Sequence, residues 1–114
     1  IFQPHRYSRT KEFFEEFTVA LGKADFLIIA PIYTAGEIPI QGINNKSLAN
    51  NIKTYNPKIS IEIARDFDEI KQILNIKTYK NDLILNIGAG DINNLWRYLQ
   101  ISEEHKDCYQ RSAA

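Results

Sequence analysis

Short apolar runs and helical patterns alternate along the chain. Apolar or alternating segments at positions 26–30, 58–63 and 82–87 predict strands, and a further apolar run ends near Phe2. Between them, apolar residues recur at three- and four-residue spacing, which is typical of amphipathic helices. This order predicts an α/β fold with three layers. A mostly parallel, Rossmann-like sheet of five or six strands is covered by helices on both faces.

The predicted helices have recognisable ends. Ser8 or Thr10 can cap the first helix, which we expect to end at Gly22. A second helix starts at Ser47, and Asp66 caps a third. The helical positions predicted to face the core are Phe13, Phe14, Phe17, Leu21, Leu48, Ile52, Phe67, Ile70, Ile73, Leu74, Ile92, Leu95, Trp96 and Leu99.

Composition limits the class of protein. The apolar share of 44% and the charged share of 25% fit one compact globular domain over positions 1–114. A net charge of zero provides no general attraction to nucleic acid or to an anionic membrane. No apolar run reaches the length of a bilayer span, and no signal peptide precedes the first strand. The single cysteine, Cys108, cannot form an internal disulfide, which favours a reducing compartment and a cytoplasmic location.

The chain contains no methionine, and it opens on residues that fit the inside of a strand. We therefore expect a piece of a longer protein, with other parts of any active site elsewhere. From Ser102 onward the sequence is polar and is expected to fray, so His105 and Cys108 are assigned no role. The sequence contains no GxxxxGK[ST], HExxH or GxSxG motif.

A basic run, His5, Arg6 and Arg9, lies between the first strand and the first helix. Arginine offers a planar fork that matches a carboxylate or phosphate, and the carboxyl end of a parallel strand is where such sheets bind ligands. Positive charge at a helix N-terminus opposes the helix dipole by roughly 0.3–1 kcal/mol unless an anion joins it. The run predicts an anion site, although a solvated surface loop explains the spacing equally well.

Tyr33, Gly36 and Glu37 lie in a long loop after the second strand. A loop of this length within a compact domain is commonly functional. Gly36 can let the backbone approach a neighbour closely. Glu37 either pairs with Arg6 or Arg9 or is an ordinary surface carboxylate.

A third run, Gly88-Ala89-Gly90-Asp91, follows the last predicted strand. It matches part of a dinucleotide-binding fingerprint, but Asn93 stands where the third glycine is required. A tight turn with Asp91 as helix N-cap is the favoured interpretation. The turn can still border a ligand.

Three motifs together carry a resemblance to a known family. They are Phe2-Gln3-Pro4-His5-Arg6-Tyr7-Ser8-Arg9-Thr10, Ile32-Tyr33-Thr34-Ala35-Gly36-Glu37 and Gly88-Ala89-Gly90-Asp91-Ile92. In this order and spacing they resemble the C-terminal domain of the Mur ligases, specifically the branch that adds L-alanine first in peptidoglycan synthesis. The resemblance covers nearly the whole chain. The related ligase that recycles murein tripeptide is the nearest alternative within the family.

The resemblance implies a cytoplasmic, three-domain, ATP-dependent ligase that forms amide bonds. Such an enzyme contributes to cell-wall biogenesis and so to cell shape and cell division. ATP phosphorylates the lactyl carboxylate of UDP-N-acetylmuramate, and the amine of L-alanine attacks the acyl phosphate. ATP and Mg²⁺ are held mainly by the central domain, so this chain alone is expected to be inactive.

The resemblance also implies roles for individual residues. It assigns substrate binding to His5, Arg6 and Arg9, around the L-alanine carboxylate and the nearby anionic reaction centre. Gly90, Asp91 and Ile92 are assigned to the border of the amino-acid pocket. It places Tyr33, Gly36 and Glu37 in a site loop without a specific role. It implies neither a catalytic residue nor a metal ligand within this chain alone.

The chain departs from the family pattern at Pro31, where many relatives have Asp, and at Thr34, where many have Pro. These differences argue against a ligand role for the start of the loop. A different class of function stays open, namely a non-catalytic α/β module that binds an anion or regulates a partner.

Overall fold

A parallel sheet forms the centre of the fold in a computed structural model that describes residues 1–99 and 109–113. Strand β1, Phe26–Ile29, pairs in parallel with β2, Ser60–Ile63. Strand β3, Ile84–Ile87, pairs in parallel with β4, Tyr109–Ala113. The two pairs are the outer parts of one parallel arrangement.

The N-terminal segment, residues 1–3, joins the two strand pairs. Phe2 forms parallel bridges to Ile29 on one side and to Ile87 on the other, and the N–H of Gln3 donates to the carbonyl of Ile87 at 2.9 Å. The resulting order, β2–β1–N-terminal segment–β3–β4, matches that of doubly wound sheets. The predicted α/β class with a parallel sheet is confirmed, and residues 1–99 and 109–113 contain no sixth strand.

Five α-helices surround the sheet in the described part of the chain: α1 Tyr7–Glu12, α2 Phe14–Leu21, α3 Asn45–Tyr55, α4 Phe67–Lys77 and α5 Leu95–Tyr98. A 3₁₀ turn, Asp91–Asn94, leads into α5. Helix α3 begins two residues before the predicted Ser47, because Asn44 and Ser47 form a reciprocal capping box. Asp66 caps α4 as predicted. None of the described helices is long and apolar enough to cross a membrane.

Apolar clusters lie on both faces of the sheet, and alternate side chains of β1 divide between them. Leu27 and Ile29 belong to one cluster, and Ile28 belongs to the other. The first cluster includes Leu48 and Ile52 of α3, with Phe14, Phe17 and Leu21 of α2 packed against it. The second includes Ile70 and Leu74 of α4, Ile92 and Leu95. This division produces three layers.

The predicted first helix is broken at Phe13. Phe13 has φ −106° and ψ 23°, so it ends α1 and precedes α2. Its side chain is 40% exposed, and its predicted place in the buried stripe is therefore wrong. At the start of α1, the Thr10 hydroxyl donates to the carbonyl of Arg6. The predicted end at Gly22 is confirmed.

The end of the chain also differs from the prediction. Fraying was expected from Ser102 onward, yet Tyr109–Ala113 forms the outer strand β4. Among the described strands, β4 lies at the edge of the sheet, where polar residues are common. His105 and Cys108 lie outside the described residues.

Candidate functional site

Three turns meet at the carboxyl edge of the sheet, as the sequence predicted. The turn after the N-terminal segment and the turn after β1 run side by side, because the N–H of Tyr33 donates to the carbonyl of Pro4 at 2.8 Å. The N–H of Arg6 donates in return to the carbonyl of Tyr33 at 2.7 Å. The turn after β3 joins them through the side chains described below. The edge therefore has the geometry of a binding site in an open α/β sheet.

Arg6 has a backbone conformation that is uncommon for a residue with a side chain. Its φ is 66° and its ψ is 144°, and it occupies the N-cap position of α1. Positive φ at a residue other than glycine costs on the order of 1–3 kcal/mol and persists where the surroundings enforce it. The hydrogen bond from Arg6 to Tyr33 supplies part of that constraint.

The two arginines of the basic run point to solvent. Arg6 and Arg9 are both exposed, and neither forms an ion pair with a described carboxylate. The expected pairing of Glu37 with Arg6 or Arg9 is therefore absent from the described part of the chain as a direct contact. These exposed guanidinium groups, which lack an ion-pair partner among the described residues, are accessible to an anion.

Glu37 instead caps α1 from a distance of 29 residues. Its carboxylate accepts hydrogen bonds from the backbone N–H of Ser8 at 3.0 Å and from the Ser8 hydroxyl. The expected capping by Ser8 or Thr10 is wrong, because no side chain of α1 itself bonds to its free N–H groups. These bonds from Ser8 lower the pKa of Glu37 below its ordinary value of 4.5, and the charge of Arg6 adds to the effect.

Tyr33 lies between the basic run and the turn that follows β3, residues 88–91, which we call the third turn. Its ring stacks on His5, with ring centroids 5.5 Å apart and planes inclined by 10°. On the other side it approaches Gly90 so closely that a Cβ atom there would lie 2.5 Å from the Tyr33 Cγ. The Nδ1 atom of His5 is buried and has no hydrogen-bond partner among the described residues. The geometry thus joins His5, Tyr33 and Gly90 into one contiguous group.

Gln3 connects the N-terminal segment with the third turn. Its amide nitrogen donates to Asp91 Oδ1 at 2.7 Å, and its amide oxygen accepts from the N–H of Ile92 at 3.2 Å. The predicted N-cap role of Asp91 is wrong, since Gly90 occupies that position and Asp91 bonds to Gln3 instead. Gln3 is not among the site residues that the sequence predicts. The sequence feature that could have indicated Gln3 was a side-chain amide at the end of an apolar strand.

Ile92 and Gly36 differ from the other predicted site residues. Ile92 is fully buried, so its side chain belongs to the core and only its backbone can border a ligand. Gly36 has φ 83°, and a Cβ atom there would meet no other atom within 4 Å. The expected close approach at Gly36 is therefore wrong. The left-handed backbone explains the glycine.

An open depression of about 610 Å³ lies beside this group. Its wall includes Gln3, Tyr33 and Asp91 together with Asp66 and Asp68 from the start of α4. The acidic side formed by α4 was not predicted from the sequence. Within the described residues, no group of three or more His, Cys, Asp or Glu side chains has an arrangement that could hold a metal ion.

Comparison with known proteins identifies the family. The chain is 47% identical over all 114 residues to the UDP-N-acetylmuramate–L-alanine ligase of Prochlorococcus marinus strain MIT 9303. It is 45% identical over the same length to that of strain MIT 9313. The chain belongs to the UDP-N-acetylmuramate–L-alanine ligase family. No profile of a known protein family matches it.

The match is confined to a part of these ligases. The chain is fully covered in both comparisons but spans only 23% of the length of each relative. A third ligase, from P. marinus strain NATL1A, is 50% identical over 93 residues, which is 82% of this chain and 19% of the relative. The resemblance of the three motifs to Mur ligases is confirmed at the level of the family.

Proposed function

We propose that this chain is the C-terminal, amino-acid-delivering domain of a UDP-N-acetylmuramate–L-alanine ligase. The observation that carries the proposal is the identity of 47% over the whole chain to a ligase with that name. The meeting of three motif turns at one sheet edge supports it independently, because that edge is where such sheets bind ligands.

In this proposal, Arg6 and Arg9 bind the carboxylate of L-alanine. Both guanidinium groups are exposed and lack a described ion-pair partner. A guanidinium fork matches the two oxygens of a carboxylate and fixes its orientation. His5 stacks on Tyr33 and so belongs to the same surface. Gly90 and Asp91 border the pocket on the side of the third turn.

The chemistry follows the scheme of the family. The lactyl carboxylate of UDP-N-acetylmuramate is phosphorylated by ATP, the amine of L-alanine attacks the acyl carbon, and phosphate leaves. The residues of this chain contribute by holding the amino acid so that its amine faces the acyl phosphate. ATP, Mg²⁺ and the UDP-sugar are bound mainly by parts of the ligase outside this chain, in the cytoplasm. The ligase thereby serves peptidoglycan synthesis.

Phosphate release by the full-length ligase that contains this chain tests the proposal. We expect release to require ATP, UDP-N-acetylmuramate and L-alanine together. Glycine and D-alanine serve as control amino acids, and murein tripeptide tests the related recycling reaction. Release that depends on the tripeptide but not on L-alanine would assign the chain to the recycling ligase. Release with no amino-acid requirement would contradict the proposed delivery role.

A further inference from the structure

Gln3 is a buried polar residue whose side chain forms hydrogen bonds with a distant part of the chain. It is only 5% exposed, and both ends of its amide bond to the turn that follows β3. Its partners, Asp91 and Ile92, are 88 and 89 residues away in sequence. A buried amide with both groups satisfied by one distant turn determines the position of that turn more sharply than apolar packing does.

The chemistry of the partners determines the orientation of the Gln3 amide. Asp91 offers a carboxylate oxygen, which only accepts, and Ile92 offers an N–H, which only donates. Rotating the amide by half a turn would place oxygen against the carboxylate and NH₂ against the N–H. Both hydrogen bonds would be lost at a buried position, where an unmade bond is costly.

The two bonds also link the two sides of the candidate site, which are the basic run and the turn that follows β3. Gln3 lies two residues before His5 and three before Arg6, so its backbone leads directly into the basic run. Its side chain holds the turn that contains Gly90, which contacts Tyr33, and Tyr33 stacks on His5. These contacts form a continuous series from the N-terminal segment to the third turn, and from there through Tyr33 back to the basic run.

From this series of contacts we infer that Gln3 is a positioning residue for amino-acid binding. It holds the Asp91 carboxylate and the third turn in register with His5 and Arg6, so that both sides of the pocket face the same ligand. Both polar groups of the Gln3 amide are already bonded to that turn, so Gln3 acts through the turn and not through a polar contact of its own with the amino acid. The inference rests on the proposed function, because the ligand is L-alanine only if this chain belongs to a working ligase.

Two substitutions at Gln3 in the full-length ligase separate positioning from packing. Gln3→Glu keeps the size and the oxygen that accepts from Ile92, but it opposes a second carboxylate to Asp91. Gln3→Leu removes both bonds at every pH. Gln72, which is exposed on α4, supplies the matched controls Gln72→Glu and Gln72→Leu.

The pH profile of kcat/KM for L-alanine is the decisive measurement. At neutral pH we expect Gln3→Glu and Gln3→Leu each to lose about tenfold to hundredfold, the range of the one charge-assisted hydrogen bond that both variants lose, the bond to Asp91. As the pH falls, two adjacent carboxylates take up a shared proton, and the resulting O–H restores a donor to Asp91. The deficit of Gln3→Glu should therefore shrink at acidic pH, whereas that of Gln3→Leu should stay constant.

Other titratable groups near Gln3 are common to all variants. Tyr33, Asp66 and Asp68 line the same depression, and His5 stacks on Tyr33. Expressing each variant relative to wild type at the same pH removes their contribution. Equal deficits for both Gln3 variants across the pH range would overturn the positioning role, as would values within about twofold of wild type.

Hydrogen exchange at the Ile92 amide distinguishes this inference from the proposed function. In the full-length protein, Gln3→Leu should lose protection at Ile92, and Gln72→Leu should not. If wild-type protein shows no L-alanine-dependent activity but this exchange pattern appears, the proposed function fails and the link between Gln3 and the turn stands. Unchanged exchange at Ile92 in Gln3→Leu contradicts the link itself.

Discussion

The ring of Tyr33 occupies the space that a side chain on Gly90 would need. A Cβ atom at Gly90 would lie 2.5 Å from Tyr33 Cγ and 2.8 Å from the amide oxygen of Gln3. The close approach of Tyr33 and Gln3 therefore requires a glycine at this position.

Gly90→Ala should consequently displace Tyr33 or the third turn. We expect a loss of stability of about 1–3 kcal/mol, as for other overpacked positions, together with a raised KM for L-alanine in the full-length ligase. Thermal unfolding and steady-state kinetics measure the two effects. Gly42→Ala is the matched control, since Gly42 has φ 82° and open space around it. It should lower stability through backbone strain and leave the KM for L-alanine unchanged.

Arg6→Ala in the full-length ligase should raise the KM for L-alanine far more than that for ATP. A charge-assisted bond between arginine and carboxylate contributes roughly 1.5–3 kcal/mol, which corresponds to about a tenfold to hundredfold change in affinity. Some loss of kcat should accompany it, because a loosely held amino acid is also poorly aimed. Lys11→Ala, which removes an exposed cation from the same helix, is the control.

Arg6→Lys adds a test of geometry. A point charge cannot reproduce the planar fork, so only part of the affinity for L-alanine should return. If the KM for L-alanine stays unchanged while that for UDP-N-acetylmuramate rises, Arg6 serves the sugar substrate or the transferred phosphate. The amino-acid assignment of the basic run would then be wrong even though the family is right.

The isolated 114-residue chain should show no ligase activity. Its sequence has no GxxxxGK[ST] phosphate loop, and the acyl-phosphate step requires bound ATP and Mg²⁺. Phosphate release by the purified chain, measured with ATP, Mg²⁺, UDP-N-acetylmuramate and L-alanine, provides the check. The full-length ligase at equal concentration serves as the positive control. Release by the chain alone that needs both substrates would overturn its assignment as a delivery domain.

The sequence predicted strands and helix starts well because the signals that mark them come from residues close together in the chain. The continuous apolar run at 26–30 marked β1, and Asp66 before an amphipathic segment marked the start of α4. Both signals depend on neighbours within one or two turns of chain. The break at Phe13 escaped prediction because the apolar periodicity continues through it, so no local pattern marks a helix end there.

The site required contacts that no local pattern contains. Glu37 caps α1 from 29 residues away, and Gln3 bonds to a turn 88 residues away. The sequence indicated that both regions lie at strand ends, but it could not say which carboxylate meets which donor. Asp91 illustrates the limit: its spacing favoured a helix cap, but its side chain bonds to the buried amide of Gln3 in the N-terminal segment.

Glu37 provides a test of the connection between its loop and α1. Since hydrogen bonds from Ser8 lower its pKa below 4.5, the folded state binds the proton more weakly than the unfolded state does. Its contribution to stability is therefore fully present above pH 4.5 and is lost as the pH falls through the lowered value. Glu37→Gln should reduce the Tm by a constant amount between about pH 6 and 8, and the difference from wild type should shrink in acid.

The matched control for this measurement is Glu12→Gln. Glu12 is also an exposed carboxylate, and it lies in the last turn of the same helix, away from the cap that Glu37 supplies. A negative charge there lies between the negative end of the α1 dipole and the positive end of the α2 dipole, so its removal should change the Tm little at neutral pH. Thermal unfolding of wild type and both variants over the same pH range decides the matter. If the Tm difference between wild type and Glu37→Gln persists unchanged in acid, the hydrogen bonds to Ser8 do not depend on the charge of Glu37, and the capping role is wrong.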